Sequence, residues 1–330
     1  MPRRQFQYDP EIGYKFIPGL KIRVQHEAGG YLFKTNSLGF RSDKNFLDKK
    51  FDNFNKKRIL VFGDSYTAGD GVSNGERYSD LLESELQDVE VYNFGLPGTG
   101  TDQQYLAWQK YAKNMEYDLL IIALQVENIR RIVASHREYK NINNQTILVP
   151  KPYFKFKNNK LELFNVPVPK EYKPSSEDYK AKLKEIERGG DMLFLREFIK
   201  NFGPKAKTIA QKITKYQPLK QYDKSSNSSW ILMQKILEEW CSHVTVPVII
   251  FTIPIYQYIE KDASAKAYQT RFKSLNNSNK VFIHDPLDDF HQFPKSKLRD
   301  FRFDNDDHPT TSAHKVLASS LARAIRNIKF

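Results

Sequence analysis

The chain has 330 residues, of which 40% are hydrophobic and 28% charged, enough for one large α/β domain or two smaller ones with a sizeable core. Lys and Arg number 52 against 39 Asp and Glu, a formal charge of +13, yet there is no zinc-ligand spacing and no aromatic RNA-binding motif. A solvated basic surface is therefore expected, with no nucleic acid as partner. The single cysteine, Cys241, excludes an intrachain disulfide and a cysteine metal cluster, and its place beside Trp240 in a helix-like stretch makes it a packing residue. MPRRQFQYDPEIGYKF has two arginines but no apolar core behind them, and no run approaches the roughly 18 apolar residues of a membrane span, so a cytoplasmic protein without a membrane span is expected.

Residues 1–55 are rich in Tyr, Phe and Gly. Runs such as LKIRVQH alternate apolar and polar positions, which predicts small antiparallel strands in an N-terminal β-rich extension. KTNSLGFRSD reads as a turn. From residue 56 a regular alternation begins. Ile59–Phe62 reads as a buried strand, Tyr78–Leu86 as a helix with Leu81, Leu82 and Leu86 on one face, and Val89–Phe94 as a second strand. Thr101–Asn114 has helical spacing and Leu119–Leu124 is an apolar run of strand length. After a gap, Ser228–His243 reads as helix, Val246–Thr252 as strand, Asp262–Leu275 as helix and Lys280–His284 as the fifth strand. Thr310–Ile328 closes the chain as a helix with Val316, Leu317, Leu321, Ala324 and Ile325 inward. Strands apolar throughout, alternating with helices, predict a parallel sheet covered on both faces. Residues from about 136 to 227 interrupt the alternation with a Lys-rich, Pro-dotted stretch, which reads as an insertion in the 56–330 domain, with a helix near Met192–Asn201. Such an insertion forms either a lid or a solvated excursion.

In a parallel α/β sheet, sites form beyond the carboxyl ends of the strands. The first strand ends in Gly63-Asp64-Ser65, which sets a serine on a tight strand-to-helix turn, although the Gly-x-Ser-x-Gly elbow is absent and a plain helix N-cap reads equally well. The second ends in NFGLPGTG, where a glycine can aim a bare backbone N–H at an oxyanion. The third ends in Gln125-Val126-Glu127-Asn128, whose asparagine amide can donate to the same oxyanion or simply close a turn. The fourth piece, DNDDHP, precedes the last helix, and its His308 is the best general base among seven histidines, flanked by carboxylates that favour its protonated form. An acidic cluster with one histidine suggests a metal only weakly, and none is expected. His314 falls inside the helix as a surface or packing residue.

Taken together and in this order, these pieces resemble the GDSL/SGNH hydrolase superfamily. The first block is matched by Gly63-Asp64-Ser65-Tyr66-Thr67-Ala68-Gly69, the second-block glycine by Gly98 following Asn93, the third-block asparagine by Asn128, and the last block by the stretch ending in His308-Pro309. Two departures stand out: the third block lacks the usual glycine and the aspartate after its asparagine, and the position three before His308 is Asn305, where the family commonly has Asp. Members with Asp two before His point to Asp306, and Asp304 remains open.

The resemblance implies a flavodoxin-like three-layer α/β/α sandwich with a mainly parallel five-stranded sheet and a serine esterase needing no cofactor. In that reading Ser65 is the nucleophile, His308 the base, Asp306 its orienting acid, and the N–H groups of Ser65 and Gly98 with the Asn128 side chain form the oxyanion hole. Asp64 braces the loops. The YDPEIGYKF…TNSLGFRS preamble looks like that of members acting in bacterial polysaccharide modification, so an O-acetyl or short acyl ester on a carbohydrate is the expected substrate. The same site would serve an O-acyltransferase, and a binding protein that kept the fold and lost activity is the remaining alternative. Oligomeric state is not legible in the sequence.

Overall fold

A computed structural model describes residues 5–49, 56–140, 146–170, 217–276 and 279–328. The helix expected near 192–201 lies outside these residues. Five strands form one all-parallel sheet: β5 (Lys57–Gly63), β6 (Val89–Asn93), β7 (Leu119–Gln125), β12 (Val248–Ile253) and β13 (Val281–His284). Its order is β13-β12-β7-β5-β6, the flavodoxin-like arrangement in which the chain starts in the interior, goes one way to β6 and then reverses past β5.

Each sheet residue chooses one of two cores by its parity along the strand. Ile59, Val61, Ile121 and Phe251 face one layer, filled by Tyr78 and Leu82 of α2 (Tyr78–Leu86) and Leu317 and Leu321 of the last helix, α9 (Thr311–Arg326). Leu60, Phe62, Ile122 and Ile250 face the other. That layer holds Trp108 of α3 (Thr101–Tyr111), Trp230 and Trp240 of α5 (Ser228–Ser242), and Tyr268 of α7 (Lys266–Lys273). This makes the α/β/α sandwich. Each large apolar side chain fully buried here contributes about 1.5–3 kcal/mol. Cys241 is buried in the second layer, and desolvation pushes its thiol up to about 12, as suits a packing residue. His314 packs fully buried against Tyr78, taking that residue's backbone N–H on Nδ1 at 3.1 Å.

The first part of the chain forms two antiparallel hairpins, β1 (Phe6–Asp9) with β2 (Gly13–Phe16), and β3 (Lys21–Val24) with β4 (Tyr31–Lys34). Their Ile12, Phe16, Tyr31 and Phe33 belong to the same core as Leu60 and Phe62. Arg41, fully buried, then spends its guanidinium on carbonyls: Ala68 at 3.0 Å, Gly69 at 2.5 Å, Leu32 at 2.9 Å, and Val72. Burial beside Arg77 lowers its pKa to about 10.

Within the inserted stretch the structure adds what periodicity did not predict: two more hairpins, β8 (His136–Lys140) with β9 (Thr146–Pro150) and β10 (Tyr153–Lys157) with β11 (Lys160–Phe164). Lys151 between them forms a buried ion pair with Asp102 at the start of α3. The stretch expected as one helix, 262–275, is shorter, with a separate turn of helix, α6 (Tyr256–Ile259), before α7.

Candidate active site

β6, β5 and β7 are neighbours, and their carboxyl ends carry Gly98, Ser65 and Asn128 in that order, at the point where the strand order reverses. Ser65 opens α1 (Ser65–Ala68), a single turn set at the end of β5. The turn is held locally. Asp64 caps it, accepting the backbone N–H of Tyr66 at 3.0 Å. Gly63 leaves no room for a side chain: a Cβ there would stand 2.0 Å from the Thr67 hydroxyl and 2.8 Å from the carbonyl of Ala123. Ser65 itself is 5% exposed.

Three loops are then stitched together. Asp64, with no exposed surface, accepts from Arg131 on its second oxygen at 2.7 Å. Arg131 belongs to α4 (Asn128–Arg131) after β7 and also donates to the carbonyl of Thr99, in the loop after β6, at 3.2 Å. The Asn93 amide joins the Thr67 carbonyl and the Ser79 hydroxyl, each at 2.7 Å. One buried acid, one arginine and one asparagine thus bring the three strand ends into register. Asp64 has the bracing role read from the sequence.

Gly98 adopts φ +72°, a left-handed conformation that favours glycine. The guanidinium of Arg137, at the start of the inserted hairpin, lies against it, 2.4 Å from where a Cβ would be. Arg137 is held there by the carbonyl of Pro97 at 3.1 Å and by the hydroxyl of Tyr14, on whose ring it stacks at 5.0 Å. Neither the backbone N–H of Ser65 nor that of Gly98 makes a hydrogen bond among the described residues. Both the oxygen and the nitrogen of the Asn128 amide are buried without a partner. A buried amide left without a partner is rare in folded proteins, and the three open donors belong to residues at the carboxyl ends of adjacent strands, where an acyl-transfer site would need them for an anionic oxygen.

His308 and the acids stand in the loop before α9. Among the acidic residues there, Asp306 contacts the histidine: its Oδ1 accepts from Nδ1 at 2.5 Å and from the backbone N–H of His308 at 3.1 Å. Asp304 points away, its side chain 90% exposed and paired with Arg299 at 3.2 Å. Asn305 bonds to Glu27, and Asp307 pairs with Arg302 at 3.2 Å. The residue after the serine joins the two halves: Tyr66 donates its hydroxyl to the carbonyl of Asp307 at 2.7 Å, and its ring lies 5.3 Å from that of His308. No hydrogen bond joins Ser65 to His308 here, and such bonds in unliganded sites are often long until substrate is bound.

The electrostatics of this loop are strongly biased. Burial works against the His308 imidazolium, but the Asp306 hydrogen bond and the carboxylates of Asp70, Asp306 and Asp64 outweigh it and raise its pKa. Burial likewise opposes charge on Asp306, yet its bonds to His308 and the imidazole's charge bring it down to about 2. Asp70, two residues beyond α1, is pushed up by burial. Sequence reasoning missed Asp70, Arg131, Arg137 and His26, whose Nε2 lies 3.3 Å from Asp306. Only Asp70, inside the Gly-Asp-Gly run that follows the first block, left a local signal.

A parallel sheet of this order, with a capped serine turn at its switch point and a histidine–carboxylate pair before the last helix, makes a flavodoxin-like α/β/α sandwich with its candidate site at the strand ends. The sequence model of the GDSL-like lipase/acylhydrolases matches residues 59–321. The chain belongs to that family and is an ester-bond hydrolase. A search of the curated proteins found no match. Solved structures similar to this chain include a member of the lipolytic G-D-S-L family from Veillonella parvula, 12% identical over 82% of this chain and 100% of that one, TM-score 0.42. The lipase/acylhydrolase from Enterococcus faecalis is 13% identical over 82% and 95%, TM-score 0.42. A mutant of Axe2, an acetyl-xylooligosaccharide esterase from Geobacillus, is 14% identical over 84% and 97%, TM-score 0.43. Likenesses at this level say nothing about substrate. Among the described residues no helix is long and apolar enough to cross a membrane, and no group of three metal-ligating side chains converges.

Proposed function

We propose that the chain is a serine esterase releasing an O-acetyl or short acyl group, with a carbohydrate or glycoconjugate as the alcohol. Ser65 attacks the ester carbonyl while His308 takes its proton, and Asp306 orients His308 through Nδ1. The tetrahedral oxyanion accepts from the N–H groups of Ser65 and Gly98 and from the Asn128 amide. Collapse expels the alcohol, protonated by His308. Water activated by the same histidine then releases the acid and restores Ser65.

The observation that carries this reading is the Asn128 amide, wholly buried and unpartnered at a strand end adjacent to Ser65. A buried amide left without partners costs about 1–3 kcal/mol, a cost understandable where substrate supplies the missing acceptor. Burial also favours a small acyl group, because Ser65 is 5% exposed and Arg137 packs on Gly98. The carbohydrate rests on the resemblance of the preamble alone. The same low exposure, by limiting water, favours acyl transfer to a sugar hydroxyl as the second reading.

The test is hydrolysis of p-nitrophenyl esters of increasing chain length by wild type and Ser65→Ala. Wild-type activity greatest on acetate and reduced about 10⁴-fold or more in the variant is expected. Preference for long chains contradicts the short acyl group, and equal activity in the folded variant contradicts the nucleophile.

A further inference from the structure

Asp306 has two carboxylate oxygens, and the reading above employs one. Its Oδ2 lies 3.3 Å from Nε2 of His26, in the loop between β3 and β4, 280 positions earlier in the chain. The tautomer of His26 follows from its other nitrogen. The backbone N–H of Ala28 donates to Nδ1 at 3.3 Å, so Nδ1 presents a lone pair and the proton of the neutral ring sits on Nε2, aimed at Asp306. The ring is fixed on its sides as well. Its side chain is 11% exposed, with Phe303 edge-on at 4.4 Å and Tyr31 at 5.9 Å. The next residue, Glu27, accepts the backbone N–H of Asn305 at 3.0 Å and its side-chain amide at 2.7 Å. Two consecutive residues of an N-terminal hairpin thus hold two consecutive residues of the loop that carries His308.

We propose that His26 is a positioning residue for the acid–base pair: its Nε2–H fixes the second oxygen of Asp306 and so turns the first toward His308. The proposal rests on the reading of Ser65, His308 and Asp306 as a catalytic triad. His26 itself touches neither substrate nor reacting atoms. Its consequence reaches His308 through charge. A carboxylate that shares its density with a second donor holds the first less tightly. Removing the His26 donor leaves Oδ1 anchored on the His308 backbone N–H and Nδ1 with its charge no longer shared, which strengthens its hold on the His308 proton, and loosens the orientation of the pair about that anchor. The titratable groups facing His26 are Asp306 from the loop before α9, Glu27 beside it and Tyr31 from β4; those acting on His308 are Asp306, Asp70 and Asp64. A brace that merely tied the hairpin to the loop would leave the titration of His308 alone.

Three variants separate these roles. His26→Phe keeps a ring between Phe303 and Tyr31 but removes the donor. His26→Gln restores an N–H at similar reach. Glu27→Gln weakens the neighbouring bonds to Asn305 and to the backbone N–H of Asp306 and leaves the Asp306 carboxylate to His26 and His308. The His308 imidazole is titrated by NMR in each full-length protein, and kcat and KM are measured against pH on p-nitrophenyl acetate. His26→Phe is expected to raise the His308 midpoint by about half a pH unit and lower kcat about 10-fold with little change in KM. His26→Gln returns both toward wild type, and Glu27→Gln leaves the midpoint in place. An unmoved midpoint in His26→Phe, an equal shift in Glu27→Gln, or no recovery in His26→Gln overturns the proposal. The NMR arm needs no turnover. Wild type hydrolysing no better than Ser65→Ala defeats the triad reading, whereas an unmoved midpoint with normal activity defeats only the role of His26.

Discussion

The serine turn and the histidine loop, the two halves of the candidate site, are held by different means. Around Ser65 the constraints are close in sequence: Asp64 caps the turn, Gly63 gives Thr67 its space, and the residues of α1 are all buried. Around His308 they come from far away, with Glu27 on Asn305, His26 on Asp306, and Tyr66 on the carbonyl of Asp307. The first half is part of the core. The second is a partly exposed loop pinned to it. Damage to the first half should therefore show in stability and activity together, and damage to the second in activity first.

The largest effect expected from breaking this comparison is at Arg131. Its removal by Arg131→Ala strands the fully buried Asp64 without its cation, which typically costs about 3–5 kcal/mol. Denaturant unfolding should show that loss with activity falling alongside. Asn128→Ala is the exception among the buried groups, because its amide holds nothing in place: kcat should fall about 10²–10³-fold, while stability holds or improves because two unpartnered buried polar atoms are gone.

Next in size are the effects of protons. A general base must be neutral, and His308 is raised above 6.5, so kcat/KM should fall with acid through a midpoint above that value. Asp70→Asn removes a carboxylate that favours the imidazolium and should move the midpoint down. His314 behaves oppositely and concerns the fold alone. Its folded pKa, lowered to about 3 by burial, lies below its ordinary 6.5, so the unfolded chain binds more protons between those values. The stability contributed by keeping it neutral is present above pH 6.5 and is lost as pH falls toward 3, at up to about 1.4 kcal/mol per unit. His314→Gln should flatten that acid limb of a denaturant series. The smallest effect is at Asp304, whose ion pair with Arg299 is exposed: Asp304→Ala should change neither kcat nor the unfolding midpoint measurably.

The sheet was legible because its strands are buried on both faces and read as apolar runs, and the helix Tyr78–Leu86 was predicted with its observed ends. The inserted hairpins were not, because Lys-rich composition masked the alternation in YFKFK and LELF. A signal was present: Asn158 and Asn159 join those strands, both with positive φ, as a two-residue hairpin turn requires. As candidates, Ser65 and Asn128 could be picked out because a parallel sheet puts its site at strand ends, a position that the alternation itself marks, whereas Gly98 was chosen among the glycines of NFGLPGTG by the family resemblance. The contacts that organise them could not. Arg131 on Asp64, Arg137 on Gly98 and His26 on Asp306 join residues that only the folded chain brings together. Likewise several acids near His308 were candidates by spacing, and the contact at 2.5 Å singles out Asp306 among them.

The most direct test of the central claim is labelling of the intact protein with a fluorophosphonate, followed by peptide mapping. The account predicts one phosphonylated residue, Ser65, with labelling slowed severely in His308→Ala. A folded wild-type protein that takes no label, or takes it at another serine, would contradict it.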